Sequence, residues 1–139
     1  MRMAACLGIG LDIVEPAGFD SSDRNLRRAG LDYLAALDLR RHVDFGAFEA
    51  WRREAGCRLV LATTRASRPY TEFAFAPDDV LMVGRESAGV PDAVHEAADA
   101  RLVVPIRPGL RSLNVAIAAA MMVGEALRQA GPGQSTPTS

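Results

Sequence analysis

Arg111, Ser112 and Asn114 stand within four residues of one another in VPIRPGLRSLNVAIAAAMMVGEALRQ (104–129). There an apolar run gives way to prolines, arginines and a glycine before a long alanine-rich stretch. A serine or asparagine at such a junction reads first as a helix N-cap, because its side-chain oxygen accepts a backbone N–H that the helix start leaves unpaired. A cap does not call for Arg107 and Arg111 just upstream, however, and free N–H groups at a helix start suit a carboxylate or a phosphate. Both readings stand on these residues alone. A second cluster, GRESAGVPD (84–92), sets Glu86 between Gly84 and Gly89. Glycine lets a backbone turn sharply and approach a ligand closely, so Glu86 is either a site carboxylate or part of an ordinary turn. In a third, DRNLRRAGLDY (23–33), Arg24, Arg27 and Arg28 share one side of a helix with Tyr33 nearby. That side would hold RNA phosphates and a base, or be a solvated face balanced by Asp20, Asp23 and Asp32.

Other chemistries lack their signatures. No glycine-rich loop ends in Lys-Ser or Lys-Thr, and GIGLDI (8–13) has no third glycine and precedes a strand instead of following one, so neither an ATPase nor a dinucleotide-dependent dehydrogenase is favoured. His42 and His95 have no partner at metal spacing and read as surface or helix histidines, so no metal site is expected. Cys6 and Cys57 lack the paired spacing of a zinc site and, among apolar neighbours, read as buried thiols.

The elements that must position these residues follow from hydrophobic pattern. Four continuous apolar runs, 11–16, 57–64, 79–84 and 100–106, predict strands covered on both faces, as in a parallel sheet. Helices fall between them: Asp44 is the expected N-cap of FGAFEAWRREA, Gly56 its terminator, and Gly131 closes the last helix. The pattern predicts an α/β fold, an open and mostly parallel sheet with helices on both faces. In such sheets ligands bind beyond the carboxyl ends of strands, and ATTRAS, GRESAGVPD and PIRPGLRSLN follow three of those ends. The last helix is apolar nearly all round. Leu113, Ile117, Met121 and Gly124 mark one side, and Ala118, Ala119, Met122 and Ala126 the other. Either a second copy of the chain covers one side, giving a homodimer through this helix, or the helix is central to its own domain.

The 139 residues suit one domain, 1–130, followed by a polar Pro-, Gly- and Ser-rich tail, 131–139, expected to be mobile. No signal peptide or transmembrane run is visible, so a cytoplasmic protein is expected. A net charge of −1 supplies no global field for nucleic acid, leaving RNA to a local patch.

VGRESAGVP together with VPIRPGLRSLNVAIAAA resembles the SPOUT class of RNA methyltransferases, and LDIVEPAGFDSSDRNLRRAGLDY narrows the resemblance to the small family that methylates the 2′-hydroxyl of the tRNA wobble nucleotide. The resemblance implies a SPOUT fold with a deep C-terminal trefoil knot, a homodimer, and S-adenosylmethionine bound in the knot and left as S-adenosylhomocysteine, without a metal. It implies cofactor contacts from Ala62, Thr63, Gly84, Val104, Ile106, Ser112 and Leu113, and an active centre of Arg2, Glu86, Ser112 and Asn114. The RNA contacts would be Arg24, Arg27, Arg28, Tyr33 and Arg111, and the partner the tRNA anticodon stem-loop. Family members begin with a further strand and an Asn-x-Gly signature; against them this sequence is expected to lack its first strand, with Arg2 at the motif arginine's position. Two rival readings are a SPOUT methyltransferase of ribosomal RNA and a non-catalytic RNA-binding or dimerisation module.

Overall fold

A computed structural model of the chain describes residues 2–15, 37–84, 89–110 and 113–130, Arg2 by its backbone alone. They group into two compact units that divide between Trp51 and Arg52. The first holds α1 (Arg2–Leu7), β1 (Leu11–Val14), β2 (Leu39–His42) and the start of α2 (Phe45–Ala55). β1 and β2 pair in parallel, with Asp12 opposite Arg40 and Val14 opposite His42. Side chains alternate along a strand, so Arg40 and His42 share the face of Asp12, whose Oδ1 accepts from Arg40 Nε at 3.1 Å and lies 3.2 Å from His42 Nε2. His42, expected on a surface or helix, is a buried strand residue. Its ring packs against Phe48 and Trp51 at centroid distances of 5.3 and 5.4 Å, which with Asp12 offsets the burial of a polar ring.

α2 starts and ends as its sequence predicts. Ala47 N–H donates to Asp44 Oδ1 at 2.8 Å. Gly56 takes φ +73° so that the amides of Gly56 and Cys57 reach back to the carbonyls of Arg53 and Arg52. The cysteine expectation fails: Cys6 is exposed and Cys57 only partly buried. Apolar neighbours in sequence do not fix which side of a helix faces the core, and in α1 that side belongs to Ala4.

The second unit is built on three parallel strands in the order β4 (Val80–Val83), β3 (Leu59–Ala62), β5 (Ala100–Leu102). Leu59, Val60 and Leu61 of the central strand are fully buried, as a continuous apolar run predicts for a strand covered on both faces. A 3₁₀ turn (Tyr70–Glu72), α3 (Asp92–Ala97) and α4 (Val115–Ala130) complete it. Where the apolar runs predict one open sheet, the described residues form two, because run 11–16 pairs with LRRH, a strand with no apolar run to betray it.

Met122 seats α4 on Val60, Phe73 and Leu102. The Gln129 amide then ties the far end of the helix to the segment after the 3₁₀ turn, with Nε2 donating to Phe73 C=O and Oε1 accepting from Phe75 N–H, both at 2.8 Å. The other side of α4, with Ile117 at 54% and Met121 at 38% exposure, is uncovered. Gly131 and the tail 131–139 lie outside the described residues. No helix among the described residues is long and apolar enough to cross a membrane.

Candidate functional site

Strands β3, β4 and β5 run the same way, so the segments that leave their carboxyl ends emerge along one edge. There they enclose a cleft of about 890 Å³, within the roughly 300–1,000 Å³ typical of small-molecule sites. Each wall has a local cause. After β3, Thr63 N–H extends the ladder to Leu102 C=O at 2.9 Å, and Thr63 then turns the chain back through its own carbonyl to Ala66 N–H and its Oγ1 to Arg65 N–H. After β4, the chain must pass close by itself. A Cβ on Gly84 would lie 2.6 Å from the Gly89 carbonyl carbon and 2.9 Å from Val90 Cγ1. Glycine at 84 is therefore required by backbone meeting backbone, which is more specific than the freedom to turn that its sequence suggested.

The third wall leaves β5. Val103 is held by Arg68 C=O and in turn accepts from Tyr70 N–H, which keeps the chain extended toward Val104 and Ile106. Arg107-Pro108-Gly109-Leu110 then closes a turn, Leu110 N–H donating to Arg107 C=O at 3.3 Å with Gly109 at φ +88°, the positive φ a type II turn needs at its third residue. α4 begins beyond it. Asn114 is its N-cap: Oδ1 accepts from Ala116 N–H at 2.8 Å and the Asn114 carbonyl from Ala118 N–H at 3.0 Å. The cap reading holds, and Asn114 also lines the cleft.

Six predicted contacts, Ala62, Thr63, Gly84, Val104, Ile106 and Leu113, thus meet around one cleft, with Asn114 as a seventh. Arg2 begins α1, and its side chain is not among what is described. Glu86, Ser112, Arg111, Arg24, Arg27, Arg28 and Tyr33 lie outside the described residues. The sequence reading did not single out Val83, Val90, Met122 or Arg65 as lining, although ATTRAS and GRESAGVPD contain two of them. Apolar side chains and main-chain edges dominate the cleft, a combination suited to a flat heterocycle held by a few hydrogen bonds. Among the described residues its charged side chains are Arg65 and Arg107, and no carboxylate lines it. Behind Thr63, His95 Nε2 lies 3.4 Å from Thr63 Oγ1. Desolvation, then the charges of Arg65 and Arg101, hold this imidazole below its ordinary pKa against the opposing pull of Asp92, so it is neutral at neutral pH. Among the described residues no group of three or more His, Cys, Asp and Glu is placed to hold a metal ion.

Comparison with known proteins shows what the chain is similar to. A family model described as the SpoU rRNA Methylase family matches residues 1–124. The tRNA (cytidine(34)-2'-O)-methyltransferase of Beijerinckia indica is 64% identical over 131 residues, 94% of this chain and 82% of that protein. The protein of the same name from Escherichia coli K12 is 38% identical, over 96% of this chain and 85% of that one. A solved structure concerned with the 2-OH methylation of C/U34 on tRNA superposes with a TM-score of 0.84 at 38% identity, covering 93% of this chain and 84% of that one. The SpoU methyltransferase AviRb of Streptomyces viridochromogenes, in complex with AdoMet, gives a TM-score of 0.80 at 29% identity, over 95% of this chain and 54% of that one.

Proposed function

This chain belongs to the SpoU rRNA Methylase family, and from that membership we propose that it transfers a methyl group from S-adenosylmethionine to the ribose 2′-hydroxyl of the tRNA wobble nucleotide, position 34. The observation that carries the reading is the convergence of six of the seven predicted cofactor contacts on one cleft. The names of its relatives support the substrate.

The residues fit the cofactor. Ala62, Val104 and Ile106 give an apolar strip for the adenine, and the bare Gly84 keeps the opposite wall close without a side chain in the way. When bound, S-adenosylmethionine supplies an electrophilic sulfonium methyl. The protein's task is then placement: holding the ribose oxygen in line with that methyl and keeping water out supplies much of the acceleration. Leu113 and Val115 close the apolar side where α4 begins, and Asn114, fixed by its capping bond, orients the ribose. Glu86 and Ser112 complete the active centre in this reading. Arg2 is the remaining member of the active centre in this reading; a guanidinium stays protonated at ordinary pH, so its role is electrostatic rather than that of a base.

Residues 1–130 form one SPOUT domain in this reading, with the β5–α4 connection threaded as a trefoil knot; the likeness to solved methyltransferases supports that topology. The uncovered apolar side of α4, Ile117 and Met121, supports a homodimer through this helix. Arg24, Arg27, Arg28, Tyr33 and Arg111 receive the anticodon stem-loop, and the enzyme works in the cytoplasm.

The test is methyl transfer to an anticodon stem-loop and to a ribosomal RNA hairpin, read by mass after nuclease digestion. A methyl on the ribose of nucleotide 34 is the expected result, and methylation of the hairpin alone would refute the substrate. In the same assay Asn114→Ala lowers turnover by about tenfold or more, beyond the loss of a cap worth ~1 kcal/mol. Asn114→Asp keeps the cap and separates the two roles; wild-type rates in both variants would remove Asn114 from the site.

A further inference from the structure

We infer that Arg107 is a substrate-positioning residue, gripping a backbone phosphate of the RNA next to the ribose that enters the cleft. The assignment rests on the proposed RNA substrate and deepens it, because neither the family resemblance nor the names of the relatives give Arg107 a role.

Four observations carry it. Arg107 lies on the cleft and is exposed. It occupies the first position of a turn whose geometry is set by Pro108 and by Gly109 at φ +88°, so its Cα is fixed while its guanidinium is left to reach outward. Its neighbours in the unit are engaged: Arg52 with Asp99, Arg58 with Asp79, Arg65 with Asp92, Arg101 with the last carbonyls of α3, Arg128 with Glu125, while Arg68 lies over the Phe73 ring. Among the described residues the Arg107 guanidinium has no hydrogen-bond or ion-pair partner. Finally, the described cleft lining holds two cations and no carboxylate. Arg65 and Arg107 leave adjacent parallel strands, β3 and β5, by loops at the same edge. The Arg65–Asp92 pair is open to solvent on both sides and therefore weak, so Arg65 is available to the same polyanion. A guanidinium matches a phosphate bidentately, which fixes orientation as well as adding attraction.

The experiment compares wild type, Arg107→Ala and Arg107→Lys in steady-state methyl transfer to the tRNA, in salt-dependent binding of the same RNA, and in calorimetric binding of S-adenosylhomocysteine. For Arg107→Ala, the KM for RNA rises about tenfold and the slope of log affinity against log salt falls by roughly 0.7–0.9, the loss of one phosphate contact. S-adenosylhomocysteine affinity stays at the wild-type value, and Arg107→Lys recovers part of the loss, keeping charge without the bidentate fork. An unchanged KM and salt slope would overturn the assignment. So would a matching fall in S-adenosylhomocysteine affinity, which would give Arg107 to the cofactor's carboxylate instead. The proposed substrate fails on a separate observation, the absence of methyl transfer to tRNA by the wild-type protein.

Discussion

Gly84→Val abolishes measurable S-adenosylhomocysteine binding, and Gly84→Ala weakens it by about tenfold or more, an energetic loss of ~1.4 kcal/mol. The reason is geometric. A Cβ at position 84 would stand 2.6 Å from the Gly89 carbonyl carbon and 2.9 Å from its Cα, distances real Cβ atoms do not adopt. Backbone cannot swing aside as a flexible side chain can, so the end of β4 and the segment at Gly89 and Val90 must part. Both form one wall of the cleft. Overpacking of this kind costs about 1–3 kcal/mol of stability, which urea unfolding of the same variants reads independently. Wild-type affinity in Gly84→Ala would mean that this wall does not shape the site.

The second large effect is on stability. Asp99→Ala lowers the free energy of unfolding by about 2–3 kcal/mol, measured by urea denaturation. Asp99 Oδ2 accepts from Leu59 N–H at 2.7 Å and from Arg52 at 3.0 Å, and Asp99 N–H donates to Leu59 C=O at 2.8 Å. Removing the carboxylate strips a fully buried strand residue of its amide partner and a buried guanidinium of its counter-charge. Asp99 is itself 45% exposed in its side chain, so water moderates the charge contribution and the figure stays below that for a fully buried pair. Asp99→Asn keeps an oxygen for Leu59 and loses about half as much. A variant as stable as wild type would show that this carboxylate does not fasten β5 to β3. The link matters to function because the far ends of those two strands carry Thr63, Val104 and Arg107.

Much of this was legible in the chain itself, for physical reasons. The central strand announces itself because burial on both faces demands a continuous run, and LVLA provides it. α2 is bounded by an aspartate and a glycine whose capping chemistry is local, so sequence alone locates both ends. The site segments were legible as three unusual strand exits, because parallel strands bring such exits to one edge. What stayed hidden depends on contacts far apart in the chain. β2 reads as a polar LRRH, and only Asp12, Phe48 and Trp51 make a buried His42 affordable. The Gln129 bridge to Phe73 and Phe75 spans more than fifty positions, and nothing in LRQA marks it. Arg107 sits between: RPGL announces a turn with proline second and glycine third, but only the assembled unit shows that its guanidinium has no partner among the described residues beside the cleft.

The central claim is that the cleft at the carboxyl edge of β4–β3–β5 holds the methyl donor, and calorimetric titration of the full chain with S-adenosylhomocysteine tests it most directly. Saturable binding at one site per chain, lost in Gly84→Val while far-UV circular dichroism still shows a folded protein, is the predicted result. A folded wild-type chain that takes up no S-adenosylhomocysteine would contradict it.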